Sequence, residues 1–265
     1  MISSTANSQV KYAAALGKQV KFRKETGLFV IEGSKMFQEL PKERVKQVYV
    51  TETFFDDSDH RNLLRDVGNA RIELVTETVM KAMSTTQTPQ GILAIVSQYQ
   101  YSMKDLKNSK ATPLLVVLET IQDPGNLGTI LRAGEGAGIT GVIMDKNTAD
   151  IYNPKVIRAT MGSIYRVPFL YTDDLTVTIK ELKQDGICLY AAHLSGKNNY
   201  DQEDYTKATG FLIGNEARGL KKETAEMADI WVKIPMLGKV ESLNAAVASS
   251  VLMFEAARQR RLSGK

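Results

Sequence analysis

The amino-acid sequence predicts an α/β protein in two parts: a parallel sheet covered by helices in the C-terminal part, and a smaller α/β unit ahead of it. Three observations predict this. Stretches 114–118, 141–144, 167–171, 187–191, 210–214 and 230–234 are short and nearly all apolar, the pattern of strands buried on both faces. Helical stretches near 127–138, 153–162 and 174–184 lie between them, and this alternation is met most simply by a parallel sheet with helices on its faces. Residues 98–112 lack apolar periodicity, are lysine-rich from Lys104 to Lys110 and end at Pro113, so they interrupt the pattern. The expected division is a first domain over 1–103, a linker over 104–112 and a second domain over 113–265.

Along the first domain, Lys11, Lys18, Lys21, Arg23 and Lys24 all precede the first acidic residue, Glu25. Such a run is ordinarily a solvated helix face, and on an otherwise neutral chain it also suits a phosphate-rich partner. From residue 28, β-rich runs at 28–32, 48–51, 71–75 and 92–96 alternate with helical stretches near 34–40, 59–66 and 76–83. Beyond the six apolar strands, the last helix is expected to start at Ser242 and to carry Leu243, Val247, Val251 and Phe254 on one face. Ala245, Ala246, Ala248 and Ala256 leave its other faces small rather than polar. A helix apolar nearly all round should be buried, here in part by a second copy of the chain, so a homodimer is expected.

Composition excludes several classes. The 265 residues, 43% hydrophobic and 24% charged, are those of an ordinary globular protein. The longest uninterrupted aliphatic run, 114–118, is too short to span a bilayer, and no apolar leader with a small-residue cleavage site opens the chain, so a cytoplasmic protein is expected. One cysteine, Cys188, and two histidines, His60 and His193, are too few soft ligands for a structural zinc and leave no disulfide, so no metal is expected. Net charge is +4 from 34 basic and 30 acidic residues, but its distribution is uneven: residues 1–110 carry 16 basic against 12 acidic, and the rest is balanced.

Nucleotide signatures fail when checked. Gly134, Gly136 and Gly138 have the wrong spacing for a dinucleotide fingerprint, no Gly-Lys pair is followed by Ser or Thr, and no Gly-x-Ser-x-Gly elbow is present. What remains are three polar, glycine-punctuated segments at the C-terminal ends of apolar strands, where open parallel sheets place their ligand sites. The first runs from Glu119 through Asp123-Pro-Gly to Asn126, at the expected helix N-cap, and Arg132, about a turn and a half into that helix. The second is Gly214-Asn-Glu216-Ala-Arg-Gly219. The third runs from Ile234-Pro-Met236 to Ser242-Leu243-Asn244, with Ser242 and Asn244 as candidate caps. With no phosphate loop, metal cluster or nucleophile dyad, the chemistry should rest on positioning two substrates and on Arg132 handling developing negative charge.

In order and spacing these segments resemble the signature motifs of the SpoU or TrmH family of RNA ribose 2'-O-methyltransferases. The resemblance is carried by Asn126-x-Gly128-x-x-x-Arg132, Gly214-Asn-Glu216-x-x-Gly219, and Ile234-Pro-Met with Ser242-Leu-Asn244. The block Val156-Ile-Arg-Ala-Thr-Met-Gly162 resembles the family's middle segment, with Thr160 where Ser is usual. Arg23 to Gly33 and Thr88-Pro-Gln-Gly91 resemble an L30-like substrate-binding domain that many members carry. The resemblance implies a C-terminal trefoil knot of the SPOUT type, which general topology rules would not suggest, with S-adenosylmethionine (AdoMet) bound in it. It implies cofactor contacts at Gly214, Ile234, Met236 and Leu243, and catalytic or substrate-orienting roles at Asn126, Arg132, Glu216, Ser242 and Asn244. Ala133-Gly134 follows the arginine where Thr-Ala is commoner.

The expected function is therefore AdoMet-dependent 2'-O-methylation of RNA, with 23S-type ribosomal RNA the first substrate class and transfer RNA the second. The expected RNA contacts are Lys18, Lys21, Arg23 and Lys24. A catalytically silent RNA-binding factor is the third reading, and the presence of both Asn126 and Arg132 argues against it.

Overall fold

A computed structural model of the chain describes every residue except Asp66, Asn69, 108–110 and Lys265. The chain divides into two compact units, Met1–Tyr99 with Asp150–Tyr165, and Gln100–Ala149 with Arg166–Lys265.

The first unit is built on four strands, β1 (Leu28–Glu32), β2 (Val45–Thr51), β3 (Arg71–Val75) and β4 (Ile92–Ser97), in the order β1-β4-β2-β3. β4 runs antiparallel to β1 and β2, and β2 is parallel to β3. Asn7 starts the helix Ser8–Lys18 by accepting from Gln9 N, and Val10, Ala13 and Leu16 fall on its buried side. They pack with Val79, Met80 and Met83 of the helix Glu77–Met83 against Val30, Tyr49, Leu93 and Ile95 of the sheet. A second short helix, Val20–Thr26, ends at Gly27, whose φ of 64° turns the chain into β1.

The units depart from the linear division expected from the sequence in two places: residues 100–103, expected in the first domain, lie in the second unit, and a later segment returns to the first. Residues 150–165, which hold the block Val156 to Gly162, belong with the first unit. Chemistry explains it: the Arg23 guanidinium donates to Asp150 Oδ2 at 2.5 and 2.8 Å, Tyr152 Oη bridges the backbone N–H and C=O of Tyr99, and Tyr165 Oη donates to Met36 O.

The second unit has seven strands, β5 (Leu114–Leu118), β6 (Gly141–Asp145), β7 (Phe169–Thr172), β8 (Cys188–Ala192), β9 (Asn198–Asn199), β10 (Thr209–Ile213) and β11 (Ile230–Lys233). All pairs are parallel, in the order β7-β6-β5-β10-β8-β11-β9. β5, β6 and β10 are buried at every residue, as their unbroken apolar runs require. Strand order reverses direction between β5 and β10, and such a switch point opens a crevice at the carboxyl ends of the two strands.

Part of the expected linker is structured. Met103–Lys107 forms a helical turn, and its Leu106 is fully buried among Leu115, Ile143 and Leu182; 108–110 lie outside the described residues. The last helix spans Ala245–Leu262, three residues later than expected, because Asn244 and not Ser242 is its cap. Its buried Arg260 donates to the carbonyls of Thr112, Pro113, Tyr205 and Lys207 at 2.7–3.0 Å. Val247 and Phe254, expected to be covered, are 48% and 47% exposed in the single chain. Among the described residues no helix is long and apolar enough to cross a membrane.

Candidate functional site

Four loops leave the carboxyl ends of β5, β8, β10 and β11. The first is shaped by a carboxylate beneath it. Asp145, at the end of β6, accepts from Thr120 N and Oγ1 at 2.9 and 2.8 Å and from Thr148 N and Oγ1 at 2.9 and 2.7 Å. Thr148 Oγ1 in turn accepts from Ile121 N. This clamp holds Thr120 at φ 58°, a left-handed conformation unusual for a β-branched residue. Burial pushes the Asp145 carboxyl up, but the hydroxyl and amide donors of Thr148 and Thr120 outweigh it and hold it below the usual carboxylate range.

The chain then turns at Asp123, whose Oδ1 accepts from Asn126 N and caps the helix Pro124–Ala137. Asn126, expected as the cap, lies inside the first turn, which frees its side chain for other work. Proline at the first helical position, with no N–H to donate, explains the earlier start.

After β10 the loop is a tight hairpin in which Asn215 and Gly219 exchange both backbone hydrogen bonds, at 3.0 and 2.8 Å. Asn215 Oδ1 accepts from Ala217 N and Arg218 N, and its Nδ2 donates to Thr120 O at 2.8 Å. Gly214 begins the hairpin where a Cβ would lie 2.0 Å from Leu220 N, so no other residue fits there. The fold-back presents Glu216 to the first loop. Its carboxylate accepts from Gln122 N (3.3 Å), Asp123 N (3.1 Å) and Asn126 Nδ2 (3.0 Å). Burial works against the charge, yet these donors, Asn126 foremost, hold the Glu216 carboxyl below its ordinary value.

The last loop, 234–243, has no hydrogen bond from its backbone or side chains to any other described residue. It ends at Asn244, whose Oδ1 accepts from Ala246 N and Val247 N and whose Nδ2 donates to Asn126 Oδ1 at 2.9 Å. Asn244, Asn126 and Glu216 thus form one hydrogen-bonded chain linking three segments far apart in sequence.

Beside this chain lies a cavity of about 400 Å³, lined by Gly214, Glu216, Ile234, Met236, Ser242 and Leu243 among others. These six residues, singled out from the sequence, share one wall system. Asn126 and Asn244 join them through Glu216. Ser242 is exposed and caps nothing. Arg132 is not brought to the cavity: it lies two turns and more into its helix, exposed, with no ion pair or hydrogen bond among the described residues.

A further wall comes from His193, Leu194 and Ser195 after β8, of which the sequence singles out only His193, as a lone strand-end histidine of structural character and not as a site residue. The signal was present, since Gly196 closes a polar segment after an apolar strand. A Cβ on Gly196 would come within 2.7 Å of the Val232 backbone, so this loop lies directly on β11. His193 accepts from Ser195 N through Nδ1 and its ring lies 4.3 Å from that of Trp231, a structural role. Among the described residues no cluster of His, Cys, Asp and Glu is placed to hold a metal.

In the first unit Lys18, Lys21 and Lys24 are exposed, as expected of a solvated face. Arg23 departs from that expectation. It is 2% exposed and its guanidinium is engaged by Asp150 and by the Leu16 carbonyl, so it belongs to the core and offers nothing to an RNA. The run alternates between helix faces, and Arg23 falls on the inner one.

Residues 113–254 match the profile of the SpoU rRNA methylase family, and residues 7–94 match the MRM3-like substrate binding domain. The chain is 30% identical over 256 residues to the 23S rRNA (guanosine(2553)-2'-O)-methyltransferase RlmP of Bacillus subtilis, covering 96% of this chain and 97% of that one. Among solved structures it is similar to an AdoMet-bound rRNA methyltransferase from Sinorhizobium meliloti (32% identity, TM-score 0.84, 97% of each chain). It is also similar to the SpoU methyltransferase AviRb from Streptomyces viridochromogenes in complex with AdoMet (25% identity, TM-score 0.88, 98% of this chain and 100% of that one).

Proposed function

The chain belongs to the SpoU rRNA methylase family, and on that premise we propose that it methylates a ribose 2'-hydroxyl of 23S-type ribosomal RNA in the cytoplasm, with AdoMet as methyl donor. The observation that carries the reading is the Asn244–Asn126–Glu216 chain, which ties all three motif segments to the wall of one cavity.

The cavity suits such a cofactor on its own terms. Its volume lies within the range of small-molecule sites, Ile234, Met236 and Leu243 give it apolar surface, and the backbone donors and acceptors of 234–243 are left unused by the fold. AdoMet supplies an electrophilic methyl on a sulfonium. Glu216 keeps Asn126 in register, and Asn244 holds the other end of the same amide. Ser242, exposed at the cavity, orients the ribose. Arg132 lies outside the cavity wall of the single chain, and its permanent charge, exposed and unpaired within the described residues, stabilises the alkoxide as the 2'-hydroxyl loses its proton only where the bound RNA or a second copy of the chain brings the two together.

Lys18, Lys21 and Lys24 give the first unit a basic face for RNA phosphates. Val247 and Phe254 leave apolar surface on the last helix that a second copy would cover, making the enzyme a homodimer. The C-terminal trefoil knot belongs to the same reading.

Mapping 2'-O-methylation in ribosomal and transfer RNA from cells with and without the gene tests the substrate. Loss of one methyl from large-subunit RNA is expected. Loss from transfer RNA instead would move the substrate, and loss from neither would overturn the reading. A monomer by sedimentation at micromolar concentration would remove the dimer.

A further inference from the structure

The first unit contains a groove of about 300 Å³ that the methyl transfer does not use, lined by Gln9, Tyr12, Lys46, Gln47 and Tyr49 among others. Tyr49 is only 1% exposed and packs in the core with Val10, Val79 and Leu93, yet it lines the groove and its hydroxyl has no hydrogen-bond partner among the described residues. Buried polar groups are nearly always paired, and a phenylalanine would fill the same core volume with no group left over. Burial, with Glu73 and Tyr12 adding to it, pushes the phenol up to about 12, so at neutral pH it is an O–H that donates.

The neighbouring groups complete the site. Gln47 Nε2 donates to Gln9 Oε1 at 2.8 Å, which leaves Gln47 Oε1 as a free acceptor and Gln9 Nε2 as a free donor among the described residues. Tyr12 is 37% exposed, with the Phe22 ring edge-on at 5.1 Å to steady it. Lys46 is exposed on the groove's border. An exposed aromatic ring, amide donors and acceptors and one cation are the chemistry by which proteins take up unstacked bases of single-stranded RNA.

We propose that this groove binds a nucleobase from a single-stranded segment of the substrate RNA, with Tyr12 as the stacking ring, Tyr49 Oη and the two free amide groups as hydrogen-bonding partners, and Lys46 on the adjoining phosphate. It rests on the reading of the chain as an RNA methyltransferase. The groove is separate from the lysine face of Lys18, Lys21 and Lys24, and it adds base contacts to what is otherwise phosphate attraction.

The test uses the full-length protein, a large-subunit ribosomal RNA transcript, and a 12-nucleotide unstructured RNA carrying 4-thiouridine. Tyr49→Phe should weaken binding of both RNAs about fivefold and Tyr12→Ala about tenfold, the scale of one hydrogen bond and one stacked base. Neither should change the salt dependence of binding, and AdoMet affinity, measured by calorimetry, should stay as in the wild type, which also reports that the variants fold. Photocrosslinks should map to Tyr12, Gln47 or Tyr49. Wild-type RNA affinity in both variants, or crosslinks confined to the Lys18–Lys24 region, would overturn the groove while wild-type binding and methylation leave the enzyme reading standing. If the wild-type protein itself neither binds nor methylates RNA, the enzyme reading fails and the groove proposal falls with it.

Discussion

Asn126 donates through Nδ2 to Glu216 Oε1 at 3.0 Å, joining the turn after β5 to the hairpin after β10. Because Asn126 Oδ1 simultaneously accepts from Asn244 Nδ2, its amide is fixed at both ends and cannot flip without losing both bonds. The pair therefore positions the edge of the cavity, and three parts of the chain depend on it.

Glu216→Ala removes the acceptor for Asn126 Nδ2 and for the backbone N–H groups of Gln122 and Asp123. Methyl transfer in single turnover should fall by about a hundredfold, as expected when positioned groups loosen by about an ångström. Glu216→Gln keeps one acceptor and should recover part of the rate. The folded carboxyl lies below its ordinary value, so the charged form is the one the fold favours: its contribution is present above the free-carboxyl range and is lost as pH falls through the lower folded value. The acid limb of the wild-type rate should be absent in Glu216→Gln.

Asp145 acts at one remove, through Thr120. Asp145→Ala leaves the amides of Thr120 and Thr148 without their acceptor and should cost about 3 kcal/mol in urea unfolding. The sign of its pH effect is that of a depressed acid: stability is fully present above the unfolded value and declines as pH drops through the folded one. Asp145→Asn should flatten that decline.

Arg132 carries the alkoxide assignment. Arg132→Ala should slow methyl transfer by about a hundredfold or more with AdoMet affinity unchanged, the scale for losing one preorganised charge. Arg132→Lys should recover little if the planar guanidinium orients the ribose and much if charge alone suffices. As the side chain is exposed and unpaired among the described residues, stability should shift by only about half a kcal/mol. A wild-type rate in the alanine variant would return catalysis to Glu216, Ser242 and Asn244.

The basic run of the first unit divides into two behaviours. Replacing Lys18, Lys21 and Lys24 with glutamine should leave the unfolding midpoint in place and flatten the dependence of RNA affinity on salt, by about 0.7–0.9 in log–log slope for each phosphate no longer neutralised. Arg23→Ala should instead destabilise by about 3–5 kcal/mol, because it strands Asp150 without its partner.

Strand identity was legible because burial on both faces writes an unbroken apolar run: residues 114–118 could be little else, and nine further runs coincide with strands to within three residues at either end. The two-residue β9, Asn198–Asn199, has no side-chain pattern to betray it, since its pairing with β11 is carried by backbone alone. At the last helix the cap is Asn244, one of the two candidates, and no hydrogen bond among the described residues claims Ser242 elsewhere; at the first motif helix the cap moves from Asn126 to Asp123 for a tertiary reason. Asp, Asn and Ser are all good caps, and the choice among neighbours is made there by tertiary partners: Glu216 and Asn244 claim Asn126, leaving Asp123 to cap. The three motif segments were readable one by one, but their union through Asn126 was not, because hydrogen bonds across 90 and 118 residues leave no periodicity. Arg23 was misplaced because a count of charge does not say which side of a helix faces water.

Residues 150–165 carry a consequence for synthesis. Asp150, Tyr152 and Tyr165 complete the first unit, yet they are made only after β5 and β6 of the second have been translated. At about 5–20 residues per second the nascent N-terminal unit waits several seconds for the rest of its own core, with Arg23 lacking its counter-charge throughout. The two units therefore cannot be released one after the other by the ribosome as finished modules. A gene fusion or truncation cut between residues 99 and 150 would divide the first unit as well as the chain.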